Sequence, residues 1–360
     1  MKDDILAKSK IIICLGTGGV GKTTTSAALA LAAAKLGRRV CVVTIDPAKR
    51  LADAMGINEI NNQPKKISTQ MDLELWAVML DPGSTFDELV QKFATSNDQV
   101  EKILNNRIYQ NLVENLSGTQ EYMAMEKIHQ LHSDPRFDLI VVDTPPARSA
   151  VEFLNAPTRL IGFLDNRVFR LLISPNHSLG ILRPVSVATR LLLRTISKVV
   201  GSQVVDDAVE FFQAFEGMEE GFRKRAGEMQ DLLQKKTTAF VLVTGTHKDT
   251  IDEALFFNAK LGEYSLSVDA VISNRVTPLF DSKENPETDV PQELIDNLNY
   301  LKHLREAELS QLSRLEGITE MDQHILVPLL VHDIGSLEEI DEIGSILVDP
   351  KSKYSNTFGN

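Results

Sequence analysis

Short unbroken apolar runs alternate along this chain with longer stretches in which apolar residues recur at helical spacing. Ile11–Leu15 (IIICL), Arg39–Ile45 (RVCVVTI), Leu73–Leu80 (LELWAVML), Phe137–Asp143 (FDLIVVD), Thr238–Thr244 (TAFVLVT) and Val268–Asn274 (VDAVISN) read as strands, and Ile325–Leu330 as a short strand or extended segment. The intervening stretches predict helices: Thr23–Leu36, a tract from Thr85 to His132 broken near Ser117-Gly118, a pair over Val204–Gln234, then Thr250–Lys260, Pro291–Leu315 and Leu337–Leu347. Residues 57 to 69 and the charged stretch Asp281–Asp289 read as loops, and Lys351–Asn360 as a polar tail. Strands alternating with helices imply βαβ units and an α/β fold, with a mainly parallel, doubly wound sheet covered on both faces. No internal repeat and no Gly/Ser linker divides the chain. The expectation is therefore one domain over 1–348, with helical insertions at about 83–135 and 155–235, and a disordered tail over 349–360.

Chemistry enters at the end of the first strand. Gly16-Thr17-Gly18-Gly19-Val20-Gly21-Lys22-Thr23 is G-x-x-x-x-G-K-[ST], the phosphate-binding loop, and it stands between a predicted strand and a predicted helix as that motif requires. Glycines let the backbone curl with its N–H groups inward, and the positive end of the helix dipole faces the same anion. Lys22 can reach the β- and γ-phosphates and the Thr23 hydroxyl can ligate Mg²⁺. The alternative, a glycine turn that merely joins strand to helix, leaves the lysine and the threonine without a task. The expected fold class is thus a P-loop NTPase with helical insertions.

Two acids end strands on the same side. Asp46, in Asp46-Pro47-Ala48-Lys49-Arg50, stands just past the second strand, where α/β sheets put ligand contacts; it also fits as an N-cap for a helix starting near Ala48. Asp143 closes an apolar run and continues as Thr144-Pro145-Pro146, the Walker B pattern in which the acid holds the Mg²⁺ shell. Alone such a run is a weak signal; behind a phosphate loop it is a strong one.

Composition narrows the partners. The 360 residues carry a net charge of −12, which argues against general nucleic-acid binding. Met1-Lys2-Asp3-Asp4 leads into only a brief apolar run and no stretch is long and apolar enough to span a bilayer, so the expected setting is cytoplasmic. Cys14 and Cys41 fall inside predicted strands and read as small buried hydrophobes; no C-x-x-C is present. Against this acidic background, the 157–200 tract carries Arg159, Arg167, Arg170, Arg183, Arg190, Arg194 and Lys198 with one acid, Asp165. Arg190, Arg194 and Lys198 share a helix face amid leucines. Such a tract suits an amphipathic or acidic partner, or ordinary packing with a solvated basic face.

The doubled glycine before Val20-Gly21-Lys22-Thr23, with Asp46-Pro47-Ala48, Asp143-Thr144-Pro145-Pro146 and Asn274-Arg275-Val276, resembles the ArsA/GET family of ATPases, deviant-loop relatives of the MinD/ParA-like class. The resemblance runs from about Lys10 to Leu347 and is strongest to short, single-domain bacterial members, the anion-transporting or arsenite-pump-like ATPases. It implies that Gly18, Gly19, Val20, Gly21, Lys22, Thr23 and Thr24 bind ATP with Mg²⁺. It implies that Asp46 activates the attacking water, that Thr23, Asp46 and Asp143 serve the metal, and that Asn274, with Arg275 beside it, meets the adenine. It implies a homodimer that opens and closes round ATP.

The departures are informative. The family's first loop lysine, which reaches across the dimer, is Thr17 here, so hydrolysis is expected to be slow or to borrow another cation. Arg148 and Lys49 are candidates, though both also suit an ordinary exposed surface. Two cysteines are too few for the arsenite pump's metalloid site, and the zinc-stapling C-x-x-C of tail-anchor targeting dimers is missing. The reading is a Mg²⁺-dependent homodimeric ATPase acting as a nucleotide-gated switch, with Asp46 and Lys22 as its catalytic pair. The alternative is an ATP-gated targeting module that hydrolyses little and holds an apolar protein client through 157–200. A weaker third reading is a ParA-like partitioning ATPase acting on DNA.

Overall fold

The computed structural model describes residues 3–46, 50–57, 60–110, 118–145, 147–166, 202–280 and 291–349. The polar tail beyond 349, the loop 281–289, Lys49 and most of the basic tract 157–200 lie outside these residues.

Eight strands are described: β1 (Ile11–Leu15), β2 (Val40–Thr44), β3 (Lys65–Lys66), β4 (Leu75–Met79), β5 (Leu139–Asp143), β6 (Thr238–Thr244), β7 (Ala270–Val276) and β8 (His324–Pro328). They form one sheet in the order β3-β4-β2-β5-β1-β6-β7-β8, parallel throughout except for β3 against β4. The apolar runs behave as expected of parallel strands, since β1, β2, β5 and β6 are buried along their whole length. Winding starts at β1, leaves toward β2 and β4, returns through β5, and then crosses to β6, β7 and β8. The phosphate loop, which follows β1, therefore opens at the carboxyl ends of the central strands, where doubly wound sheets place ligands.

Two short elements were not expected. Lys65–Lys66 pairs antiparallel with β4 inside a stretch read as loop, because two exposed lysines carry no strand periodicity. Asp3–Lys8 forms an N-terminal helix, α1, anchored by buried Leu6.

The α-helices that accompany the sheet among the described residues are α1, α2 (Lys22–Lys35), α3 (Arg50–Ala54), α4 (Pro82–Phe93), α5 (Asn97–Leu104), α6 (Thr119–Ser133), α7 (Ala147–Leu164), α8 (Ser202–Ala214), α9 (Glu219–Gln234), α10 (Lys248–Glu263), α11 (Gln292–Leu312) and α12 (Leu337–Val348), with a further helical stretch at 107–110. Helix α2 is alanine-rich for a packing reason. It is buried almost all round, between the sheet and α12, and a Cβ placed on Gly344 would lie 3.2 Å from the Ala28 carbonyl oxygen.

The chain divides into two compact units, one made of residues 1–80, 130–151 and 234–360 and the other of 81–129 and 152–233. The first holds the whole sheet. The second is helical. Its first helix is opened by Asp81, whose side chain accepts from the Ser84 N–H, with Pro82 at the first helical position. Phe86, Phe93, Phe211, Phe215 and Phe222 stack there on one another and on Tyr109. The same unit buries the ion pair of Arg225 with Glu126, at 3.2 Å.

Candidate nucleotide site

The loop between β1 and α2 needs its glycines individually. Gly16 has φ +153° and a Cβ there would fall 2.2 Å from the Val243 carbonyl oxygen of β6. Gly21 has φ +91° and a Cβ would fall 2.2 Å from Nδ2 of Asn274. Both positions combine a left-handed backbone with a close neighbour, which glycine alone satisfies. Gly18 and Gly19 are exposed, while Val20 is buried beneath the loop.

Lys22 is buried, and its Nζ donates to the Thr17 carbonyl oxygen at 2.7 Å. Burial pushes its pKa down, partly opposed by the charge of Asp143. The ammonium is thus already curled into the loop.

Asp143, at the end of β5, is 1% exposed. Its Oδ2 accepts from the Thr23 hydroxyl at 2.8 Å and from the Thr44 hydroxyl at 3.0 Å. Its Oδ1 is buried with no hydrogen-bond partner among the described residues. Burial raises the carboxyl to about 6, although the two hydroxyls and Lys22 pull the other way. A hydroxyl oxygen and a carboxylate with a spare buried oxygen are hard donors of the kind Mg²⁺ takes, so the residues present fit that ion. The neighbouring Thr144 hydroxyl donates to the Cys14 carbonyl oxygen at 2.6 Å, tying the ends of β5 and β1 together.

Asp46 follows β2, partly buried, with Arg50 at 3.6 Å. Its charge acts on both Lys22 and Asp143, so it belongs to the same cluster. Thr24 is half-buried in the first turn of α2. Asn274 stands beside the loop: its Nδ2 donates to the Val20 carbonyl oxygen at 2.8 Å and its Oδ1 accepts from the Arg275 N–H at 3.0 Å. Arg275 is exposed, at φ +59°. Arg148 falls in α7, with its side chain outside the description.

Thr44 is the partner that sequence reasoning missed. A hydroxyl closing an otherwise apolar, fully buried strand was the available signal. Asn274 likewise has a bracing role on the loop that no local motif announces.

Both cysteines are fully buried, and among the described residues neither forms a disulfide. Among the described residues no helix is long and apolar enough to cross a membrane.

A phosphate loop after the first strand of a parallel sheet, facing a buried acid at the next strand end, defines a P-loop ATPase. The chain belongs to the anion-transporting ATPase family, whose model matches residues 9–349. Among curated proteins it is similar to an ATPase get3 of Aspergillus terreus, 26% identical over 340 residues that cover 93% of this chain and 89% of the relative. A second get3 ATPase, from Aspergillus niger, is 25% identical with the same coverage. A protein of Aquifex aeolicus provisionally named arsenical pump-driving ATPase 1 is 22% identical over 347 residues, 94% of this chain and 78% of the relative.

Proposed function

We propose that this ATPase is a Mg²⁺-dependent, nucleotide-gated homodimer. The single observation that carries the proposal is the junction at Asp143, where the Thr23 and Thr44 hydroxyls meet one carboxylate oxygen and the other is left spare. When bound with nucleotide, Mg²⁺ would supply charge neutralisation at the terminal phosphates, with Thr23 and Asp143 as the residues that hold it and Asp46 near them. Lys22 would leave the Thr17 carbonyl for the phosphate oxygens, exchanging a neutral acceptor for an anionic one. Asp46 would orient the attacking water and take its proton. Gly18 to Thr24 would wrap the phosphates. Asn274 and Arg275 border the loop where the base would lie; Asn274 would have to release Val20 to read it.

Homodimerisation is supported by the apolar side chains that α11 leaves exposed, Leu294, Tyr300 and Leu304 among them. Two buried thiols without a disulfide suit a reducing, ATP-rich cytoplasm, and their burial offers no ligand to an arsenical. The helical tracts of 83–135 and 155–235 remain, in this proposal, insertions on one ATPase domain.

The test is steady-state ATP hydrolysis across protein concentration, with Lys22→Ala as the blank. Asp46→Asn should lower kcat by about 10²-fold or more with ATP binding retained. Wild-type turnover in that variant would remove Asp46 from the mechanism.

Thr17 favours a second reading, in which ATP serves mainly as a conformational ligand and the helical tract takes an apolar client. Nucleotide must then bind one conformation better than the other. Identical amide exchange in 157–200 with and without ATP would discard it.

A further inference from the structure

The sheet has a second concave site at its other pole, where β1 and β5 begin. A cavity of about 290 Å³ opens there, lined among others by Lys8, Lys10, Arg38, His132 and Asp138. All these residues belong to the sheet-bearing unit.

The charges in it do not cancel. The one carboxylate among the described lining residues, Asp138, is already satisfied by Arg39, through Nη2 to Oδ1 at 2.6 Å, Nε to Oδ2 at 3.0 Å and the backbone N–H to Oδ2 at 3.0 Å. Arg38 spends its guanidinium donors on carbonyls, those of Leu6, Ser9 and Asp138, and shares the charge of the Asp138 carboxylate with Arg39. The side chains of Lys10, His132 and Lys235 have no hydrogen-bond or ion-pair partner among the described residues. They nevertheless act on one another: besides burial, the charges of Lys10 and Lys235 hold the His132 imidazole below its ordinary range.

Helix dipoles account for part of this. Lys8 ends α1, His132 lies in the last turn of α6 and Lys235 follows α9, and cations are favoured at helix C-termini. That argument places one cation at each end. It does not explain why Lys8, Lys10 and Arg38 line one cavity beside His132, with Lys235 near enough for its charge to act on that imidazole, while Asp138, the one acid among the described lining residues, is occupied, in a chain of net charge −12. A concave, like-charged site with low-dielectric walls attracts the opposite charge.

We propose that this cavity is an anion site for a phosphate or phosphomonoester group, separate from the phosphate loop, with Lys10, Lys235 and His132 as its ligands. The volume suits a compact oxyanion, and lysine ammoniums suit it as rotatable point charges.

The probe is inorganic phosphate, titrated into the full chain carrying Lys22→Ala and followed at the imidazole of His132 by NMR, the resonance being assigned with His132→Gln. Chloride at matched ionic strength is the control. Phosphate should raise the His132 midpoint by about half a unit or more beyond chloride, since a bound anion favours the charged imidazole. Lys10→Gln with Lys235→Gln should weaken the phosphate response about tenfold, a reasonable effect for two removed charges at close range. Equal curves in phosphate and chloride would overturn the proposal, as would a phosphate response indifferent to the double substitution. Co-sedimentation with vesicles of phosphatidic acid in phosphatidylcholine identifies the source. Pelleting that the double substitution abolishes assigns the site to a lipid headgroup, and a phosphate response without pelleting assigns it to a free phosphate compound.

Discussion

Gly21 shows how much one missing atom can carry. Its backbone sits in the left-handed region and its absent Cβ leaves room for the Asn274 amide that braces Val20. Gly21→Ala should therefore strain the backbone and push Asn274 off the loop together. The expected outcome is a loss of about 2 kcal/mol or more in stability and at least a tenfold fall in ATP affinity, read from chemical denaturation and nucleotide titration. Thr44 makes the opposite kind of contribution. Thr44→Val keeps the shape and removes one of two hydroxyl donors to a buried carboxylate. The cost should be about 1–3 kcal/mol, measured by urea denaturation at neutral pH. An unchanged midpoint would mean that Thr44 does not support Asp143.

At the scale of elements, the join between β7 and β8 makes a pH prediction. Ser273 Oγ lies 2.8 Å from His324 Nε2 inside the sheet, and burial lowers the His324 imidazole to about 4. An unfolded histidine titrates near 6.5. Between those values the unfolded chain binds the proton and the folded chain does not, so stability is full above about pH 6.5 and is lost as pH falls toward 4. The loss should be on the order of a few kcal/mol, and His324→Gln should flatten the slope over that window in thermal melts. The elements also show the reach of pattern reading. Apolar runs located seven strands because a strand buried on both faces is apolar throughout. They were silent on Lys65–Lys66, whose pairing depends on the neighbouring β4 and not on its own residues. Among its described residues the Thr85–His132 tract holds α4, α5, a helical stretch at 107–110 and α6, with Ser96 capping α5 at the break before it.

For the whole molecule the question is how the loop acquires enough positive charge. Thr17 leaves Lys22 as the loop's one lysine, and in the described state that lysine is bonded to the Thr17 carbonyl. If a homodimer completes the site, Thr17→Lys should raise kcat by about tenfold or more, with the gain growing as protein concentration favours the dimer. A gain independent of concentration, or none, would mean that the two sites do not complete each other.

The sequence alone determined the class of sheet, the loop, and the two strand-end acids. These follow from local rules: burial on both faces makes runs, a phosphate needs glycines in a fixed order, and a strand end projects its last side chain at the loop. The tertiary structure decided the rest. Only packing could show that Thr44 and Thr23 share one oxygen of Asp143, that Asn274 holds Val20 from 254 residues away, and that Lys10 and His132 line one cavity with the charge of Lys235 acting on the imidazole. Each of these depends on which strands lie side by side, and strand order is set by the burial of the whole sheet and not by any residue within it.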